Sequence, residues 1–387
     1  MARGGAERIS TCGRWPKFGL AILALLAGAA SVAAEVRSEP LATADGLAGE
    51  HAMLPVVIDG DEVRLETIVV GLPDGEKKPL AVISHGSPRG GYTNRRKMTP
   101  HRYLRAAETF AYRGYLAVIV MRREFGESEG SWSSDFGFCD NPDYVWAGRQ
   151  AGAEIGAAIR ALAERADVDA TRVLLVGQSA GGFASIALSA EAGSKISAVV
   201  NFAGGRGSRR PGEVCTEDAL IDAFATYGRT SRTPTLFLYA ENDKYFGPDL
   251  ATRFHQAFTG AGGQGPLALV GAFGSDGHDL FSRTLEGIGL WRDRVEAFLD
   301  ANGLPARRLV PAADGADPAP PSVLSSRGRE HWRRYLLAPK NKAFAVSDSG
   351  RFGWRSGRRT IGDAKDGAFS YCKRDCAIVS INGTRVR

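Results

Sequence analysis

Residues 172–190, RVLLVGQSAGGFASIALSA, constrain this chain more than any other stretch. Val173 to Val176 is a short apolar run with the length of a buried parallel strand. Gly177-Gln178-Ser179-Ala180-Gly181-Gly182 interrupts it, and FASIALSA resumes with helical spacing. A strand that turns this sharply into a helix lifts the residue at its tip clear of the sheet. A serine there must take up a strained backbone, and the glycines two before and two after it remove side chains that would collide. The next backbone N–H and the helix N-terminus then face the space in front of the hydroxyl.

The pentapeptide G-x-S-x-G is weak evidence alone, because a chain with 48 glycines meets it readily by chance. It occurs a second time, at Gly126-Glu127-Ser128-Glu129-Gly130, also after a strand-like run. There the following residues, SWSSDFGFCDNPD, read as loop, and two flanking glutamates disfavour an alkoxide at Ser128. Context therefore selects Ser179.

From about residue 50 to 303, apolar runs alternate with amphipathic helical stretches, the pattern of an α/β fold with a mostly parallel sheet covered by helices on both faces. The runs are MLPVVI and VRLETIVV, an opening hairpin across Asp59-Gly60, then LAVISHG, YLAVIVM, RVLLVG, ISAVVNFAG, TLFLYAE and LALVGAF, eight strands in all. Helices fit at about 100–113, 145–165, 181–192, 217–227, 249–261 and 285–300. Ligands of such sheets bind at the carboxyl ends of the strands.

Eight strands with a serine elbow after the fifth resemble an α/β-hydrolase. In that family the partners follow in the order serine, acid, histidine, with the acid after the seventh strand and the histidine after the eighth. The resemblance implies Asp243 as the acid, within Asn242-Asp243-Lys244-Tyr245, with Glu241 as the substitute. It implies His278 as the base, within Gly274-Ser275-Asp276-Gly277-His278-Asp279. A serine hydroxyl is a poor nucleophile at neutral pH; His278 would take its proton and return it to the leaving group, and Asp243 would fix the imidazole tautomer. The oxyanion hole is expected from the N–H groups of Ala180 and of Ser87 in His85-Gly86-Ser87-Pro88, since Pro88 has none to give. His85 is expected to brace that loop.

The elbow G-x-S-x-G-G and the short core look most like the dienelactone-hydrolase branch, with prolyl-oligopeptidase-type domains second. Dienelactone hydrolases proper carry cysteine at the elbow, so Ser179 points to a carboxylic ester rather than to their lactone. MRREFGESEG resembles the family's R-G-x-G-x-S turn after the fourth strand, with Glu124 in place of a small residue. Arg89, Arg95 and Arg96 follow the oxyanion loop and Trp132 lies in the long loop after the fourth strand. These are candidate substrate contacts, either for an anionic acyl group or as an aromatic-lined slot. No cofactor and no metal is implied.

Residues 1–34 carry Arg3, Arg8, Arg14 and Lys17, an apolar run from Phe18 to Ala30, and then Ser31-Val32-Ala33-Ala34. This is the pattern of a secretory signal cleaved after Ala34, so a periplasmic or secreted enzyme is expected. Cys139, Cys215, Cys372 and Cys376 remain in the mature chain, an even number in an oxidising compartment. Three connectivities are possible; nearness in sequence favours Cys372 with Cys376, which leaves Cys139 with Cys215.

The expected organisation is a catalytic domain over 35–304, an extended Ala/Pro linker over 305–322, and a small basic α+β module over 323–387. The net charge of +6 conceals an asymmetry: residues 323–387 carry +10, and residues 35–322 carry −7. In the tail, KAFAVSDSGRFGWRSG reads as two strands around a turn, IGDAKDGAFSYCKRDC as a helix and AIVSING as a closing strand. Its basic face could meet an acidic envelope polymer, anionic lipid or the acidic catalytic domain itself, and no groove-reading nucleic-acid motif is present. The leading expectation is an exported serine esterase acting on a small-molecule ester. The rivals are a prolyl-oligopeptidase-type peptidase and a non-catalytic protein that binds through its tail.

Overall fold

The computed structural model describes Met1 and residues 38–44, 46–281, 284–310 and 318–386. The expected export segment, 1–34, and the middle of the expected linker, 311–317, lie outside the described residues. Nine strands build the main sheet: β1 (Ser38–Pro40), β2 (Ala48–Ile58), β3 (Asp61–Gly71), β4 (Lys78–Ser84), β5 (Leu116–Val120), β6 (Val168–Gln178), β7 (Ile196–Phe202), β8 (Thr235–Ala240) and β9 (Leu267–Val270). Their order across the sheet is β1-β2-β3-β5-β4-β6-β7-β8-β9. The strands from β4 to β9 run parallel. The pairs β1–β2, β2–β3 and β3–β5 are antiparallel.

Eight of these strands are the expected ones, and β1 corrects the count to nine. Its sequence, Ser38-Glu39-Pro40, is exposed and holds no apolar run, so no periodicity marks it. The β2–β3 hairpin closes where expected: Ile58 pairs with Asp61, and both Asp59 and Gly60 have positive φ, at 56° and 90°. That backbone matches the twist of the flanking strands.

The sheet is buried on both sides because successive side chains point to opposite faces. Leu80, Val82, Val118, Leu175 and Phe237 face one core, with Ile155, Phe183, Phe224 and Phe254 from the helices Tyr144–Ala163, Ala180–Ser189, Glu217–Thr230 and Pro248–Gly260. Ala81, Ile83, Ile119, Leu174 and Val200 face the other, with Phe110 and Trp291 from the helices Leu104–Ala111 and Leu285–Ala301. Among the described residues no helix is long and apolar enough to cross a membrane.

The C-terminal residues form a second, four-stranded antiparallel sheet in the order Phe352–Arg355, Ala343–Ser347, Cys376–Ile381, Thr384–Arg385. The helix Ser326–Leu337 sends Trp332 and Tyr335 against Phe344. The helix Ile361–Cys372 packs Ala364 and Ala368 against Ala343 and Ala345. Residues 36–387 make one compact unit. Leu304 and Ala306, at the junction of the expected catalytic domain and linker, are buried in the second core. Arg359 of the C-terminal part reaches into the main sheet. There its guanidinium forms two hydrogen bonds with the fully buried carboxylate of Glu66 and pairs with Glu127 at 2.9 Å. Two disulfides are present, Cys139–Cys215 and Cys372–Cys376, the pairing favoured by sequence distance.

Candidate active site

Ser179 stands between β6 and the helix Ala180–Ser189 with φ 54° and ψ −123°. A β-carbon in that region costs about 1–3 kcal/mol, and the neighbours that impose it are visible. The Ser179 N–H donates to Phe202 O at 2.9 Å, and its carbonyl accepts from Phe183 N–H and Gly205 N–H. The flanking glycines leave no alternative: a β-carbon on Gly181 would lie 2.3 Å from Ser84 O, and one on Gly177 2.4 Å from Gly181 O. The Ser179 side chain makes no capping bond to its helix, so the hydroxyl is left to the space above the sheet.

That space is bounded by three loops at the carboxyl ends of the strands. The loop after β8 carries Asp243, buried, with Oδ1 accepting from Tyr245 N–H at 2.8 Å and Phe246 N–H at 3.0 Å. The loop after β9 carries His278, whose Nδ1 lies 3.0 and 3.2 Å from the two Asp243 oxygens. Glu241, the substitute acid, is exposed. The backbone of His278 is fixed from both sides. Its N–H donates to Asp276 Oδ1 at 3.0 Å, and its carbonyl accepts from Gln178 Nε2 at 2.5 Å. Gln178 is the residue before Ser179, so the backbone of His278 is tied directly to the elbow. With Nδ1 on the carboxylate, the opposite ring nitrogen, Nε2, is the one left for a proton in transit. Tyr245 lies against the ring at 4.7 Å between centroids, and Phe246 at 5.7 Å.

The loop after β4 supplies the third side. A β-carbon on Gly86 would lie 3.0 Å from Ser179 Cβ, so glycine is what lets this backbone touch the elbow. Ser87 follows, exposed. Ala180 opens its helix, so its N–H has no intrahelical acceptor. His85 is fully buried and braces the loop: Nδ1 donates to Gly86 O at 2.7 Å, and Nε2 accepts from Arg122 N–H at 3.0 Å. Burial, and then the Arg122 charge, holds its pKa well below the usual imidazole value, so it stays neutral. The Arg122 guanidinium reaches Ser84 Oγ and His85 O at 2.7 and 2.8 Å, and burial brings it down to about 10.

The other sequence candidates are distributed differently. Arg95 is paired with Glu124 and lies 4.1 Å over the Trp132 ring. Arg96 donates to Ser128 O at 2.9 Å. Both arginines, and one face of Trp132, are thus engaged within the protein. Arg89 is exposed, with its guanidinium 5.4 Å over the ring of Tyr245, the same ring that touches His278. Ser128 is buried; it donates to Met121 O and accepts from Glu66 N–H, which accounts for the second G-x-S-x-G as a structural turn. Sequence reasoning missed Gln178, Asp276, Tyr245 and the buried Arg206. Arg206 bonds Ser134 O and Oγ, while its Nε and Nη1 have no partner among the described residues.

Among the described residues, one grouping of potential metal ligands exists, His51, Glu66 and Glu127, with ligand atoms within 4.8 Å of one another. The Arg359 guanidinium is bonded to both carboxylates. A cation already fills the role a metal would play there.

The strand order, the strained serine and the three converging loops are those of the α/β-hydrolase fold. The family model for X-Pro dipeptidyl-peptidase (S15 family) matches residues 59–237. That stretch includes Ser179 and ends ahead of Asp243 and His278. No curated protein matches the chain in sequence. Among solved structures, an esterase from Pyrococcus furiosus is similar at 14% identity and TM-score 0.45, over 69% of this chain and 90% of that one. An acetyl xylan esterase from Paenibacillus sp. R4 is similar at 14% identity and TM-score 0.45, over 62% of this chain and 84% of that one. A putative dienelactone hydrolase from Klebsiella pneumoniae is similar at 15% identity and TM-score 0.44, over 66% and 98%.

Proposed function

We propose that the protein is an exported serine esterase that cleaves a carboxylic ester through an acyl-enzyme on Ser179. One observation carries the reading: His278 is held between the Asp243 carboxylate and the Gln178 amide, with Ser179 next along the chain from Gln178. His278 accepts the Ser179 proton as the hydroxyl attacks the ester carbonyl. The developing oxyanion is met by the N–H groups of Ser87 and Ala180, and His278 returns the proton to the departing alcohol. Water then attacks the acyl carbonyl as His278 takes its proton; the bond to Ser179 Oγ breaks, His278 returns the proton to that oxygen, and the acid is released. Asp243 orients the imidazole and stabilises the transient imidazolium.

Support for export comes from the residue 1–34 pattern together with two disulfides, which persist in oxidising compartments. A peptidase is the second reading, favoured by the S15 match. Removing a dipeptide from an amino terminus calls for an acidic group to hold the substrate ammonium. The charged side chain at Tyr245, beside His278, is instead the Arg89 guanidinium, which suits a neutral or anionic acyl group. The test is turnover of p-nitrophenyl acetate against Xaa-Pro-p-nitroanilides. Ester turnover that drops at least about 1,000-fold in Ser179→Ala is expected. Unchanged turnover in that variant, or faster anilide than ester cleavage in the wild type, rejects the esterase assignment.

A further inference from the structure

A groove of about 950 Å³ lies where the C-terminal part meets the loops of the main sheet. One wall is the strand Phe352–Arg355 and the turn after it; the other includes Lys97, Thr99, Arg102 and Thr284. Its volume is at the upper end of the range for single small-ligand sites, about 300–1,000 Å³. No aspartate or glutamate lines it.

Seven cationic side chains do line it. Arg102 pairs with Asp279 at 2.9 Å, and Arg351 with Asp375 at 3.7 Å. Lys97, Arg327, Arg355, Arg358 and Lys373 have no carboxylate within ion-pair distance among the described residues, although the chain has 43 acidic residues to offer. Gathering so many like charges without compensation is unfavourable unless a ligand supplies the opposite charge. Two further features address the same ligand. Thr284 Oγ1, nine-tenths buried, has no hydrogen-bond partner among the described residues. The 17-residue helix Leu285–Ala301 begins at Thr284, so its positive end adds to the field. Arg355 is held flat over Tyr371 at 3.7 Å, which presents its guanidinium edge as a ready fork for an oxyanion.

The shape and the aromatic side chains narrow the ligand. A concave trough does not lie on a flat lipid surface. Single-stranded nucleic acid requires a series of open aromatic faces, and among the rings lining the groove Tyr371 alone is exposed. Phe352 is stacked on Phe344 and packed against His331, the Trp354 indole donates to His331 Nδ1, and one face of Tyr371 is covered by Arg355. What remains is a set of charge-assisted donors at several positions, which fits carboxylates repeated along a chain.

We infer that this groove binds an acidic polysaccharide, a chain of uronate residues, and so anchors the enzyme on a polyanionic carbohydrate. The anchor sits next to the chemistry: Arg102 on the groove wall holds Asp279, the residue after His278, and Lys97 ends the helix Gly91–Arg96 that follows the Ser87 loop. Binding is independent of turnover at Ser179.

The test uses the full chain with oligogalacturonate as probe. Its arms are a neutral galactan of similar length, inorganic polyphosphate and single-stranded DNA, each at low and high salt. Expected results are binding of oligogalacturonate, no binding of galactan, at least about tenfold loss in Arg355→Gln/Arg358→Gln, and weakening with salt. A second pair, Lys97→Gln/Lys373→Gln, weakens binding in the same direction and guards against misfolding of the first. Hydrolysis of p-nitrophenyl acetate is unchanged in both. Equal affinity of wild type and both variants, absence of oligogalacturonate binding, or tighter binding of polyphosphate or DNA overturns the inference.

Discussion

Asp243 serves two sets of donors at once. Its Oδ1 takes the N–H groups of Tyr245 and Phe246, which fix the loop, and both oxygens face His278 Nδ1. An asparagine keeps the first set, because its carbonyl still accepts from the backbone, but turns an NH2 toward an imidazole nitrogen that must itself donate. The ring is then driven to the wrong tautomer. Asp243→Asn is therefore expected to lower kcat by about 10⁴-fold while leaving the melting temperature nearly unchanged. A comparable loss from Glu241→Gln would move the role to that residue. That Asp243 and His278 meet was implied by the resemblance to the α/β-hydrolases, in which the acid and the histidine occupy the loops after the seventh and eighth strand runs. Gln178 and Asp276 were missed in these roles. Gln178 acts on a carbonyl a hundred positions away and carries no local signal for it, whereas Asp276 caps the short turn that holds His278, two residues on, a local role that the reading of the sequence did not use.

At the scale of elements, the two disulfides differ in what they close. Cys139–Cys215 spans 76 residues and ties the long loop after β5 to the segment before the helix Glu217–Thr230; Cys372–Cys376 spans four. Loop-closure entropy assigns the first about 4 kcal/mol and the second about 2 kcal/mol. Replacing each pair by serines and comparing urea unfolding is expected to give that order. Equal costs, or the reverse order, would reject a chain-entropy account. The parallel strands and their helices were legible because each is a continuous apolar run or an amphipathic repeat. The helix Gly91–Arg96 buries no residue, so it shows no apolar stripe at all. The helix Ser326–Leu337 buries only Gly328, Trp332 and Tyr335 within SRGREHWRRYLL, and its charges mask the spacing.

Across the whole molecule, the basic tail and the acidic sheet region meet at Glu66. Burial alone would raise the pKa of that carboxyl; hydrogen bonds from His51 and Arg359, and the Arg359 charge, outweigh it and hold it at about 2, against an ordinary value of 4.5. A folded-state value below the unfolded one contributes stability above about pH 4.5, lost as pH falls toward 2. The shift corresponds to about 3 kcal/mol. Arg359→Ala removes the main counter-charge and is expected to cost about 2–3 kcal/mol near neutral pH, since an unpaired buried carboxylate remains. The cost shrinks as acid protonates Glu66. Urea unfolding of both proteins near pH 7 and near pH 4 checks this, and a penalty that grows toward acid pH would contradict it. The charge asymmetry of the sequence allowed the basic tail to meet the acidic domain, but gave no reason for one arginine in particular among 15 basic tail residues to do so.

The same contact changes how the protein can be cut. A polypeptide shortened anywhere ahead of position 359 loses more than an appendage: it strands an anion in the middle of β3 and weakens the sheet from which the loops at the active centre spring. Enzymologists who trim the tail to ask what it recognises would be measuring a damaged hydrolase, and point changes in the trough are the cleaner instrument.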